Sequence, residues 1–119
     1  MKHPSRRPEQ VAGTIRQVIA DALVREVRDP RVGLVTVTAV VVTNELSHAR
    51  VMVSVPGAEG RKAKAIEGLR NAAGFFRSRV ARALSTRTVP ELHFELDKGS
   101  EHAARIEELL QSIRREEQD

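Results

Sequence analysis

With 119 residues the chain is long enough for one domain that buries about two-thirds of its unfolded surface. It carries 20 Lys and Arg against 16 Asp and Glu, a formal net charge of +4, and no cysteine, which excludes disulfides, thiolate catalysis and cysteine-bound zinc. Three phenylalanines with neither Trp nor Tyr rule out extensive base stacking, and no segment approaches the roughly 20 apolar residues of a membrane span.

The opening MKHPSRRPEQ, which holds Arg6 and Arg7, is charged, with no apolar run behind it, so no export signal and a cytoplasmic location are expected. From Pro8 to about Arg28, Val11, Ile15, Val18, Ile19, Ala22 and Leu23 recur at helical spacing, and Pro8 suits a first turn. Asp29-Pro30 stops this helix, because the residue before proline avoids the helical region. The run Gly33–Thr43 is dense in β-branched residues, with Val35, Val37 and Ala39 alternating against Thr36 and Thr38, and reads as a strand. Asn44-Glu45-Leu46-Ser47 supplies a turn into a second, antiparallel strand, where Ala49, Val51, Val53 and Val55 alternate with His48, Arg50, Met52 and Ser54.

After the loop Pro56–Gly60, the stretch Ala63–Arg87 reads as two helices sharing a joint. Ile66 and Leu69 form the stripe before it; Phe76, Val80, Ala83 and Leu84 recur at i, i+4, i+7 and i+8 after it. Between them lies Ala72-Ala73-Gly74. A helical glycine costs about 1 kcal/mol relative to alanine, so Gly74 marks a kink, a packing contact, or a close approach by another backbone such as a nucleic-acid strand. Leu92, Phe94 and Leu96, alternating with Glu91, His93 and Glu95, predict a third strand. Ser100 is a candidate N-cap for a last helix with Ile106, Leu109, Leu110 and Ile113 on one stripe. One domain over 1–115 with a frayed charged tail at 116–119 is expected.

Charge is distributed unevenly. Between Arg61 and Arg87 stand eight basic residues, Arg61, Lys62, Lys64, Arg70, Arg77, Arg79, Arg82 and Arg87, against the single acid Glu67. Residues 91–119 hold nine acids against four basic residues. A solvated helix face normally mixes both signs; a one-signed face suits a polyanion. Arg79 and Arg82 fall opposite Phe76, Val80 and Leu84, which aims them outward. Phe75 falls on that outer face too, and packing in the corner of the joint is preferred over stacking on a base. Phosphate contacts on this helix are therefore expected, with Arg6, Arg7 and Arg31 as further candidates. No GxSxG, HExxH or P-loop occurs, and the four histidines show no metal-ligand spacing with a carboxylate nearby, so no catalytic site, metal or cofactor is expected.

The order helix, strand, strand, helix, joint, helix, strand, with a helix appended, resembles the type II KH fold, an α+β domain with a three-stranded sheet and helices on one face. More closely, the chain resembles the ribosome-binding factor A family. The matching residues are Val11 and Ile15, Asp29-Pro30-Arg31, Val35–Thr43, Asn44-Glu45-Leu46-Ser47-His48-Ala49, Ala72-Ala73-Gly74-Phe75, Val89-Pro90-Glu91-Leu92-His93-Phe94 and Asp97. Asn44 stands where that family more often has aspartate; either can hold the turn by accepting backbone N–H groups. The family's alanine-x-glycine joint maps onto Ala72, Ala73 and Gly74. The resemblance implies binding to the immature small (30S) ribosomal subunit and its rRNA, assistance to late maturation and 5′-end processing of the precursor, and a role in cold adaptation. It implies a monomer with neither membrane nor small-molecule partner. The residues themselves leave two other readings open: a generic single-stranded RNA-binding module, and an assembly adaptor whose basic face docks an acidic protein.

Overall fold

The computed structural model describes residues 8–85 and 88–118, apart from the side chains of 100–104 and 117–118. Helix α1 (Pro8–Arg25) buries Val11, Ile15, Ile19 and Ala22 on one stripe. It ends three residues before the expected Arg28, with the backbone N–H groups of Glu26 and Val27 both donating to the Ala22 carbonyl. The physical reason lies downstream: Asp29 precedes a proline and is extended (φ −73°, ψ 119°), and the chain leaves the helical region ahead of it. A 3-10 turn at Pro30–Val32 follows, capped by the Asp29 carboxylate, which accepts from the Arg31 backbone N–H.

Strand β1 (Thr36–Val42) pairs antiparallel with β2 (His48–Ser54), and β2 pairs parallel with β3 (Glu91–Leu96), giving a mixed sheet in the order β1-β2-β3. The alternation expected for β1 holds only to Val37. A bulge between Val37 and Ala39 advances the register, so Val40 and Val42 oppose Val51 and Ala49 while Ala39 and Val41 turn to the other face. Thr38, the extra residue, donates from Oγ1 to Asp97 Oδ2 at 2.6 Å and to the Met52 carbonyl at 3.3 Å. In the β1–β2 turn Leu46 takes φ +62°, and the acceptor is Thr43 rather than Asn44: its Oγ1 receives the N–H groups of Ser47 and His48.

Helices α2 (Glu59–Asn71) and α3 (Ala73–Ala83) cross from β2 to β3. Together with α1 they cover one sheet face, burying Ile15, Ile19, Val51, Val53, Leu69, Phe76, Val80 and Phe94, with the Phe76 and Phe94 rings 5.5 Å apart. The architecture is the expected α+β, type II KH-like arrangement. The outer edge of β3 would otherwise offer unpaired backbone; Arg70 Nη2 donates to the Phe94 carbonyl there. Helix α4 (Lys98–Gln118) starts two residues before Ser100, so Ser100 lies inside it rather than capping it. Its apolar stripe is helical as expected but uncovered: Ile106, Leu109, Leu110 and Ile113 are 43–60% exposed.

Candidate nucleic-acid interface

The joint is a single residue, and it is not the glycine. Ala72 leaves helical geometry (φ −97°, ψ 9°), its N–H donating to the Gly68 and Leu69 carbonyls at 3.1 Å each, while its own carbonyl accepts from Phe76. Gly74 is the second residue of α3 and has an ordinary negative φ, so the bend does not use its conformational freedom. A Cβ placed there would meet nothing within 4 Å. Gly74 instead forms part of a hollow with Arg77, Ser78, Ala81, Thr88 and Val89. The packing glycine is Gly68 on α2, which helical spacing does not single out: a Cβ there would stand 3.1 Å from Val32 Cγ1 and 3.3 Å from Arg31 Nε. That close approach seats the 3-10 turn against α2.

The basic residues divide by what already holds them. Arg31 is locked in a fork to Asp29, with Nη2 2.6 Å from Oδ2 and Nε 3.0 Å from the same oxygen, and Nη1 lies 3.6 Å from Glu67. These donors hold the Asp29 carboxyl below the usual carboxylate range, the Arg31 side-chain hydrogen bonds first and its backbone N–H second. Arg79, aimed outward by its helical position, lies instead across Glu26 at 2.6 Å and over the Phe75 ring at 4.6 Å. Helical spacing does not reveal that the end of α1 passes beside it. Phe75 packs against the core, as preferred. Lys62 donates to the Val55 carbonyl and Arg77 to that of Val89. Among the described residues Arg61, Lys64 and Arg82 are exposed with no hydrogen bond or ion pair. Arg31, Arg61 and Lys64 line one shallow hollow with Pro30 and Gly60. Arg6, Arg7 and Arg87 lie outside the described residues.

The fold thus presents a jointed helix pair with three uncommitted cations and an open glycine on an α+β domain. The sequence profile described as ribosome-binding factor A matches residues 7–110, nearly all of that domain. The chain belongs to the ribosome-binding factor A family. Ribosome-binding factor A of Thermomicrobium roseum is 45% identical over 115 residues, covering 97% of this chain and 89% of its own length. The crystal structure of ribosome-binding factor A from Thermus thermophilus superposes with a TM-score of 0.67 at 25% identity, covering 75% of this chain and 93% of that one. A homology model of the Thermus protein, fitted into a cryo-EM map of a complex between 30S and ribosome-binding factor A, matches with a TM-score of 0.59 at 27% identity, covering 74% and 92% of the two chains. No described helix of this family member is long and apolar enough to cross a membrane.

The open sheet face carries a group of side chains that spacing along the sequence does not disclose. Residues 45 apart in the chain become neighbours through the parallel β2–β3 pairing: Arg50 bridges to Glu95 at 2.8 Å, and His48 Nδ1 stands 3.0 Å from His93 Nε2. Glu91 lies 3.9 Å from each of those nitrogens. The Arg50 hydrogen bonds hold the Glu95 carboxyl low. Spacing within one element could not show the histidine pair; only the register does, setting His48 opposite Glu91 and Arg50 opposite His93.

Proposed function

We propose that the protein binds the immature small (30S) ribosomal subunit as a monomer in the cytoplasm, with the α2–α3 face against rRNA phosphates. In this reading Arg61, Lys64 and Arg82 make the first phosphate contacts. The hollow beside Gly74, Ala72 and Ala73 admits a sugar–phosphate backbone closely, and Lys62, Arg70, Arg77, Arg87, Arg6 and Arg7 widen the basic field. Arg31 and Arg79 shape the surface through their partners. The observation that carries the reading is the uncommitted charge around the joint: Arg61, Lys64 and Arg82 are exposed and unpaired among the described residues, and Gly74 beside Arg77 leaves room for a close neighbour. Family membership supports the rest: assistance to late maturation, including processing of the precursor rRNA 5′ end, and a part in growth in the cold.

Sedimentation of cell extracts through a density gradient tests it. The protein is expected with free small subunits and their precursors and nearly absent from polysomes. Equal recovery in polysomes, or none with small subunits, overturns the reading.

A further inference from the structure

The open face of the sheet, away from the α2–α3 surface, holds a cluster that phosphate binding does not use. His48 leaves the start of β2, and Glu91 and His93 leave the start of β3, all on the face opposite Ala49, Leu92 and Phe94, which are buried. One nitrogen of each imidazole and one Glu91 carboxylate oxygen lie within 4.8 Å of one another. The two nitrogens are 3.0 Å apart, and each is 3.9 Å from a Glu91 oxygen.

We propose that His48 Nδ1, His93 Nε2 and the Glu91 carboxylate form a binding site for a divalent transition-metal ion of the zinc class. Ligand atoms about 2.0–2.1 Å from a tetrahedral ion stand about 3.3–3.4 Å from each other. The observed separations bracket that value, and rotation of exposed side chains closes the difference without moving the backbone. Two imidazoles and one carboxylate are a donor set that zinc accepts with one position left for water, whereas magnesium and calcium call for an all-oxygen shell. Arg50, which the register sets opposite His93, is paired in a fork with Glu95, which offsets its charge beside a metal ion. In the metal-free protein the two facing nitrogens share one hydrogen bond. On binding, the imidazole that holds that proton shifts it to its outward nitrogen, and both facing nitrogens turn lone pairs to the ion. The ion joins β2 to β3 across the end of the sheet where His48 opposes Glu91.

Calorimetric titration of the full chain with zinc chloride, in a buffer that does not chelate metal, tests this. One ion per chain is expected, with His48→Gln and His93→Gln each weakening binding at least about tenfold, since even loss of a residue that merely orients a ligand costs about 10–100-fold. Zinc should raise the melting temperature of the unaltered protein and leave that of the double variant unchanged. His3→Gln and His102→Gln, which alter the other two histidines, should bind as the parent does. All three ligand side chains are substantially exposed, so the metal-free variants should melt with the parent. Should one histidine variant melt early without metal, the other is compared alone, and the cobalt-substituted parent gives an independent readout: intense visible bands report tetrahedral nitrogen and oxygen ligation. A flat isotherm, a double variant that binds zinc like the parent, or binding abolished by His3→Gln or His102→Gln overturns the assignment.

Discussion

Gly68 in α2 and Gly74 at the start of α3 both lie on the jointed helix pair, and the molecule uses them in opposite ways. Gly68 in α2 faces inward, where Val32 and Arg31 lie within 3.1–3.4 Å of any added Cβ. Gly74 in α3 faces outward over empty space. Sequence alone makes them equivalent, since either lowers helix propensity by the same amount. Their surroundings separate a residue that holds the fold from one available to a partner. Free cations stand on both helices: Arg61 and Lys64 on α2 and Arg82 on α3 are unpaired among the described residues, whereas Arg31, packed beside Gly68, is tied into Asp29 and Glu67.

The largest expected effect breaks the closed half. Gly68→Val forces two methyl groups against Val32 and the Arg31 stem, and overpacking of this kind costs about 1–3 kcal/mol, reduced slightly by the better helix propensity of valine. Denaturant unfolding should show a lower midpoint with an unchanged slope. An unchanged midpoint would mean that the 3-10 turn moves aside freely.

At the exposed cations of both helices, and at Gly74, the effect should fall on binding. Replacing Arg61, Lys64 and Arg82 together with alanine should leave the melting temperature in place, because all three are exposed and unpaired among the described residues. The slope of log K against log salt for RNA should flatten by about 0.7 to 0.9 for each phosphate that the variant no longer neutralises, with similar weakening for every RNA sequence. Gly74→Val sharpens the comparison with Gly68→Val directly. Its stability should stay within about 0.5 kcal/mol of the parent, while affinity for small subunits falls because the branched side chain fills the hollow lined by Arg77 and Ser78. Loss of stability in both glycine variants would erase the distinction.

How much of this was legible in the sequence depends on the range of the interaction. The α1 stripe, the β2 alternation, the three strands and the jointed helix follow from local periodicity, and all are present. The phase of β1 was not readable past Val37, because the bulge at Thr38 is held by Asp97, 59 residues away. The apolar spacing of α4 specified a helix but not a cover for it. Among the candidate RNA residues, spacing placed Arg79 outward and could not register Glu26, 53 residues earlier. The His48–His93 pair needed the parallel register. The sequence reading singled out Gly74 and passed over Gly68, because only the 3-10 turn packed beneath Gly68 gives that glycine its role.

Acid offers a smaller and reversible way to loosen the closed half. Arg31 holds the Asp29 carboxyl low in the folded state. A carboxylate held low adds stability above its unfolded value and loses it as pH falls through the folded value. Stability should therefore drop below about pH 4, and Asp29→Asn should flatten that acid limb while lowering stability at neutral pH. Glu95, held low by Arg50, gives a parallel contribution that Glu95→Gln removes. NMR titration of both carboxyls checks the direction independently; an ordinary Asp29 titration would mean that the fork with Arg31 does not persist in solution.

The smallest effect is expected at Arg79, which sits in α3 with Gly74 but is held by partners as Arg31 is. Its guanidinium is shared between Glu26 and the Phe75 ring, and its side chain is 30% exposed. Reaching a phosphate would require giving up both partners, so Arg79→Ala should leave the salt slope of RNA binding nearly where it was, while Arg82→Ala alone flattens it. The cost of Arg79→Ala should appear in folding instead, and only weakly, because a partly exposed, salt-screened pair contributes about 0.2–1 kcal/mol. A double-mutant cycle of Arg79→Ala with Glu26→Ala isolates that coupling from the stacking on Phe75. If Arg79→Ala flattens the salt slope as much as Arg82→Ala does, the ion pair opens on binding, and Glu26 competes with phosphate for the same cation.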